Sequence, residues 1–129
     1  MSRKIDIVSN VLIRPHEQIS PEHVRELLDE ITHDGYIKSP LIVDQNTMIL
    51  LDGHHRFTAL RILNLSSAPC LLVDYESDDI TVTPWRDGEI VTKDTVREAG
   101  LSGHLLHIKT SRHHLPERPE IMIPLELLK

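Results

Sequence analysis

Aromatic side chains are scarce in this sequence: one Phe, one Trp and two Tyr, 3 % of 129 residues. That disfavours stacking bases on a row of aromatic rings and leaves the core to Leu, Ile and Val. The single cysteine, Cys70, permits no internal disulfide and suits a reducing compartment. It lies in the apolar run Pro69-Cys70-Leu71-Leu72-Val73, which reads as a buried structural thiol rather than a nucleophile. No apolar stretch is long enough to span a bilayer and no signal peptide is evident, so no membrane partner and a cytoplasmic location are expected. Bases are outnumbered, 14 Lys and Arg against 20 Asp and Glu, for a net charge of −6. That balance argues against general nucleic-acid binding, which calls for a basic surface. It leaves room for a local basic pocket that holds one small anion.

What is present is ordinary globular material, 40 % hydrophobic and 26 % charged, enough for one domain over residues 1–129. Lys4–Val8 and Val11–Ile13 read as an early strand or two, and Arg14-Pro15-His16-Glu17 breaks the pattern. Ser20-Pro21-Glu22 is a helix-start signature, followed by Val24, Leu27, Leu28 and Ile31 at helical spacing and a stop at Asp34-Gly35. Leu41–Asp44 and Met48–Leu51 predict a hairpin around Gln45-Asn46. A helix from Asp52 to about Leu63 and a strand over Cys70–Asp74 follow. Ile80–Val82 and Glu89–Val91 read as strands around Arg86-Asp87-Gly88. Thr92–Ala99 reads as a short helix stopped by Gly100, Leu105–Ile108 as a strand, and the proline-rich tail as mostly irregular. The expected class is α+β, with helices against a small mixed sheet.

The chemistry concentrates in Met48–Leu60, a buried strand that stops at Asp52-Gly53 and turns into a helix beginning His54-His55-Arg56. A helix start presents unpaired N–H groups and the positive end of the macrodipole to an anion. Glycine admits a phosphate close to the backbone, and arginine supplies a planar fork for its oxygens. Asp52 fits either an N-cap or a carboxylate facing a metal ion carried by the phosphate. The plainer reading is an ordinary capped turn with solvated histidines. Zinc is disfavoured, because adjacent histidines at a helix start splay apart and no structural-zinc spacing is present. His104 and His107 read as structural.

Asp52-Gly53-His54-His55-Arg56 and the Ala-Leu helix behind it resemble the phosphate-binding motif of the ParB/sulfiredoxin superfamily. The resemblance is closest to its free serine kinases. Arg14-Pro15-His16-Glu17, Val73-Asp74-Tyr75 before Trp85, and Lys109-Thr110-Ser111-Arg112-His113 extend it from about residue 10 to the C-terminus. It implies a compact ParB/sulfiredoxin-like domain that transfers a phosphoryl group from ADP or ATP to free L-serine, giving O-phospho-L-serine. Under it, Glu17 is the catalytic base, with Asp52 orienting a donor or meeting Mg²⁺ directly or through water. Gly53, His54, His55 and Arg56 hold the nucleotide phosphates. Thr110, Ser111, Arg112 and His113 hold the acceptor, and Trp85 is either a wall of that pocket or core packing. Without the resemblance Glu17 reads as a solvated loop acid, or an acid favouring the helix that starts near Pro21, rather than as a base.

One departure stands out. The family's serine kinases carry extra segments between the Trp region and the Thr-x-Arg-His segment, which here are joined by about two dozen residues. The competing reading is a ParB-like nucleotide-binding switch or DNA-associated module without kinase activity; the acidic balance and the lack of a helix-turn-helix segment argue against it. A sulfiredoxin-type reductase is disfavoured because Cys70 lies far from the phosphate motif in an apolar strand.

Overall fold

The apolar runs Leu41-Ile42-Val43, Ile49-Leu50-Leu51 and Cys70–Val73 are continuous rather than alternating, the pattern of strands covered on both faces. The computed structural model, which describes residues 4–129, places them in one four-stranded sheet. Its strands are β1 (Lys4–Ser9), β3 (Leu41–Asp44), β4 (Leu50–Asp52) and β5 (Ser67–Val73), in the order β1-β5-β3-β4. β5 pairs antiparallel with β1 and parallel with β3, and β3 pairs antiparallel with β4 across the predicted hairpin. A two-stranded pair of β2 (Tyr36–Ile37) and β8 (Ile123–Pro124) ties in the tail.

Successive residues of these strands serve opposite cores. Leu41, Val43, Leu50 and Cys70 pack toward α1 (Pro21–Asp34) and α2 (His54–Ile62), whose Val24, Ile31, Phe57 and Leu60 close that side. Ile42, Ile49, Leu51, Leu71 and Val73 point the other way, onto Tyr75, Ile80 and Val96 of α3 (Lys93–Ser102). Cys70 is fully buried, and burial pushes its thiol up to about 12, so it is inert packing. Among the described residues no helix is long and apolar enough to cross a membrane.

Helix α1 forms as expected, with Ser20 accepting from the His23 N–H and Gly35 closing it at φ +79°. Several other expectations are corrected. Asn10–Leu12 is a 3-10 turn, not a second strand. β5 begins at Ser67 and includes Pro69, which faces β1 in the stretch that precedes pairing with β3. Glu89–Val91 is no strand: Ile90 is 86 % exposed, and β6 (Thr81–Pro84) instead pairs with β7 (Ser111–His114), far along the chain. Leu105–Ile108 forms only one bridge, Leu106 with Glu17. Gly100 does not stop α3; Gly103 does, at φ +80°. A Cβ at Gly100 would sit 2.8 Å from Ile49 Cγ1, so this glycine lets the helix close on the sheet.

Candidate active site

Of the three α-helices among the described residues, only α2 lacks a side-chain cap. Its N-cap is Gly53, at φ +100°, and not Asp52. A side chain is excluded there twice over: the φ is left-handed, and a Cβ would lie 2.7 Å from Leu41 Cδ2 and 3.2 Å from Arg56 Nη1. The bare helix start opens onto a cavity of about 310 Å³ that is also lined by Glu17, His23, Lys109 and Arg56. A helix end without partners is an anion site when a cation stands beside it. Arg56 is that cation: among the described residues its guanidinium has neither a hydrogen-bond nor an ion-pair partner. Burial pulls its pKa down, which marks the cost of keeping it unpaired away from bulk water.

The Nε2 atoms of the two motif histidines are already committed as acceptors and offer no proton to a phosphate. His54 Nε2 accepts the His16 backbone N–H at 3.1 Å, and His55 Nε2 accepts that of Ser20 at 2.9 Å. Each is therefore unprotonated at that nitrogen, and each ties a loop to the α2 start. Burial, then the neighbouring charge of His16, holds His54 down to about 3; burial lowers His55 too. What they offer an anion is their backbone N–H groups and the ring proton that this tautomer leaves on Nδ1. Asp52 is half exposed; its Oδ1 accepts the Gly53 N–H at 2.9 Å and its Oδ2 the Arg118 Nη1–H at 2.5 Å.

A second cavity, about 370 Å³, shares Asp52, Trp85 and Ser111 with the first and adds Arg112, His113 and Arg118. Alternation along β7 builds it: Ser111 and His113 point inward and are buried, while Arg112 and His114 point out. Trp85 is half exposed, so it is wall and not core; its Nε1–H donates to the Ser111 carbonyl, and Arg112 lies 4.7 Å from its ring centre. His113 bonds the Tyr75 hydroxyl at 2.8 Å, and its buried Nδ1 has no partner among the described residues. Burial, then His16, holds it down to about 3. Thr110 is the exception among the expected acceptor residues. Its hydroxyl donates to the His107 carbonyl at 2.6 Å, and it lines neither cavity.

Glu17 lines the first cavity and is bonded to Ser111, which lines both. Ser111 donates to its Oε2 twice, from Oγ at 2.5 Å and from the backbone N–H at 3.1 Å. Burial works against the charge, but the bonds from His16 and Ser111 outweigh it and hold Glu17 down to about 2. It is thus an ionised, oriented acceptor and not a solvated loop acid. Lys109, His16 and Arg118 are site residues that the sequence reading did not assign. His16 and Lys109 lay inside segments already singled out, whereas nothing marked Arg118 in a tail read as irregular.

The two buried neutral histidines make stability depend on acid. An unfolded histidine takes up its proton near pH 6.5, whereas His54 and His113 refuse it until about pH 3. The unfolded state binds more protons through that window, so stability is full above pH 6.5 and is lost as the pH falls. Urea unfolding at pH 7.5 and pH 5 should differ by on the order of 2 kcal/mol or more. Equal midpoints would mean that these rings are not buried in the neutral form.

Comparison with known proteins identifies the family and the fold. The family model for the ParB N-terminal domain matches residues 3–83. A ParB-like protein of Sulfolobus acidocaldarius is 37 % identical over 82 residues, 64 % of this chain and 41 % of that protein. An ATP-dependent L-serine kinase of Desulfurococcus mucosus is 31 % identical over 93 residues, 68 % of this chain and 36 % of that one. The chain thus spans about two fifths of the length of the curated relatives it matches. In fold it follows the structure of a free serine kinase in complex with AMP, at a TM-score of 0.88 and 19 % identity over 97 % of this chain and 93 % of the other.

Proposed function

Starting from the fact that this chain belongs to the ParB N-terminal domain family, we propose that it is a small-molecule kinase that transfers a phosphoryl group from ADP or ATP to the hydroxyl of free L-serine or a similar small acceptor. One observation carries the reading: an unpaired Arg56 at an uncapped helix start and an ionised Glu17 face the same cavity, which adjoins a second one.

Phosphoryl transfer needs positioning and charge neutralisation more than covalent help. The first cavity takes the nucleotide. Its phosphates meet the N–H groups of His54 and His55, the Arg56 fork and Lys109 at the rim. The second cavity takes the acceptor, with the Arg112 guanidinium, which has no carboxylate partner among the described residues, for its carboxylate. Glu17, which lines the first cavity and is bonded to Ser111 of the shared wall, orients the acceptor hydroxyl and takes its proton as the new O–P bond forms and the P–O bond to the departing AMP or ADP breaks. A carboxylate held near pKa 2 is a weak base, which suits a loose transition state that demands little early proton removal.

Among the described residues no three His, Cys, Asp or Glu side chains form a metal cage. Mg²⁺ bound to a nucleotide needs only one or two carboxylates and keeps several waters. Asp52 fits that demand through water, since both of its oxygens are already engaged. Such an ion would neutralise phosphate charge.

The test is a donor-by-acceptor screen: purified protein, Mg²⁺, ADP or ATP, and L-serine or other small hydroxylated compounds, read by mass spectrometry. O-phosphoserine is the expected product. Nucleotide binding with no product from any pair would leave the binding-switch reading in front, and the ParB-like relative keeps that reading alive.

A further inference from the structure

His16 belongs to a motif segment, yet the reaction above does not use it. It is fully buried, and both of its ring nitrogens are engaged. Nδ1 lies 2.7 Å from the Leu50 carbonyl oxygen and Nε2 lies 2.8 Å from Ser111 Oγ, which in turn lies 2.5 Å from Glu17 Oε2. Three contacts of hydrogen-bond length in series require three protons, one in each gap. A carbonyl cannot donate, so the Leu50 contact takes Nδ1–H. Ser111 has one hydroxyl proton for the two gaps that remain. Neutral His16 beside ionised Glu17 would leave one gap with lone pairs facing each other. The chain of bonds closes only with one further proton. Ser111 sends both its Oγ–H and its backbone N–H to the same Glu17 oxygen, as to a carboxylate, so the extra proton belongs on His16.

We propose that His16 is a buried imidazolium and a positioning residue, which acts through Ser111 to hold Glu17 ionised with its Oε1 left for the acceptor hydroxyl. Glu17 Oε1 has no hydrogen-bond partner among the described residues and Glu17 lines the first cavity, so one oxygen is anchored and the other is left for substrate. The other titratable groups against His16 are His54 from α2, its ring centre 4.6 Å away, and His113 from β7 at 5.8 Å. Both are kept neutral by burial and by the charge of His16, so the cation faces one carboxylate and no second cation. A buried charge is tolerated when it is paired and fully hydrogen-bonded, and this pair shares its proton as a unit.

The Glu17 part of this role rests on the kinase reading; the proton count does not. Nitrogen-15 NMR of the histidine rings in the full chain reads the count without turnover. At neutral pH His16 should be protonated on both nitrogens in the wild type and should lose one proton in Glu17→Gln, where the countercharge is gone. A singly protonated His16 that is unchanged by Glu17→Gln would overturn the proposal even if the kinase reading stands. Turnover supplies the second readout. Ser111→Ala should lower kcat about tenfold with KM for the nucleotide unchanged and should displace the alkaline limb of the pH profile. Ser111→Thr, which keeps a hydroxyl, should restore both. If Ser111→Ala keeps the wild-type pH profile, Ser111 is merely structural and the proposal fails.

Discussion

Glu17→Gln is expected to lower kcat by about a hundredfold or more while the nucleotide Kd stays within about twofold, because a positioned general base typically contributes that much and more. Glutamine keeps the size of the side chain and an oxygen for the Ser111 N–H, so the contact with Ser111 stays built. What it loses is the negative charge and the capacity to take a proton at Oε1. Steady-state kinetics with calorimetric nucleotide titration separates the two effects. Unchanged turnover would remove Glu17 from the chemistry. A parallel loss of nucleotide binding would instead make it a scaffold for the first cavity.

The second large effect belongs to Arg56. Replacing it with methionine should weaken ADP and ATP binding about 10- to 100-fold, since charge-assisted hydrogen bonds contribute roughly 1.5–3 kcal/mol each. Arg56→Lys should fall between, because it keeps a cation without the planar fork. The same Arg56→Met change should leave the Tm of the nucleotide-free protein unlowered, because an unpaired guanidinium lined by protein contributes no stability there. That opposition of signs distinguishes a ligand-binding arginine from a structural one. A fall in Tm with unaltered affinity would place Arg56 in the fabric of the fold and leave the cavity without its phosphate partner.

Much of this arrangement was legible along the chain. Local rules suffice for α1, whose cap, first-turn proline and closing glycine sit within one segment. They suffice for the β3–β4 hairpin and for the glycine between β4 and α2, because each is a contact between near neighbours. They fail for β7. Ser111-Arg112-His113-His114 alternates buried and exposed like any strand, but the buried members are polar because they face a site and not a core. Its partner β6 lies some thirty positions earlier, and Glu89–Val91, nearer at hand and more apolar, was the stronger local candidate. Gly100 misled for a related reason. Glycine ends helices, but here it marks where Ile49 comes too close for a side chain.

Hydrophobic spacing determined the α+β class, and the Asp52–Arg56 turn carried the resemblance to the family and the position of the proposed anion-binding helix start, because each depends mainly on residues close together in sequence. Only tertiary structure decided what the polar side chains do. It turned His54 and His55 into acceptors for the backbone of other segments, sent Arg118 from the tail to Asp52, and set His16, Ser111 and Glu17 in one line. Hydrogen bonds are short and directional, so their partners are fixed by where distant backbone elements come to rest. Burial patterns, which need only one face of one element, can be read much earlier.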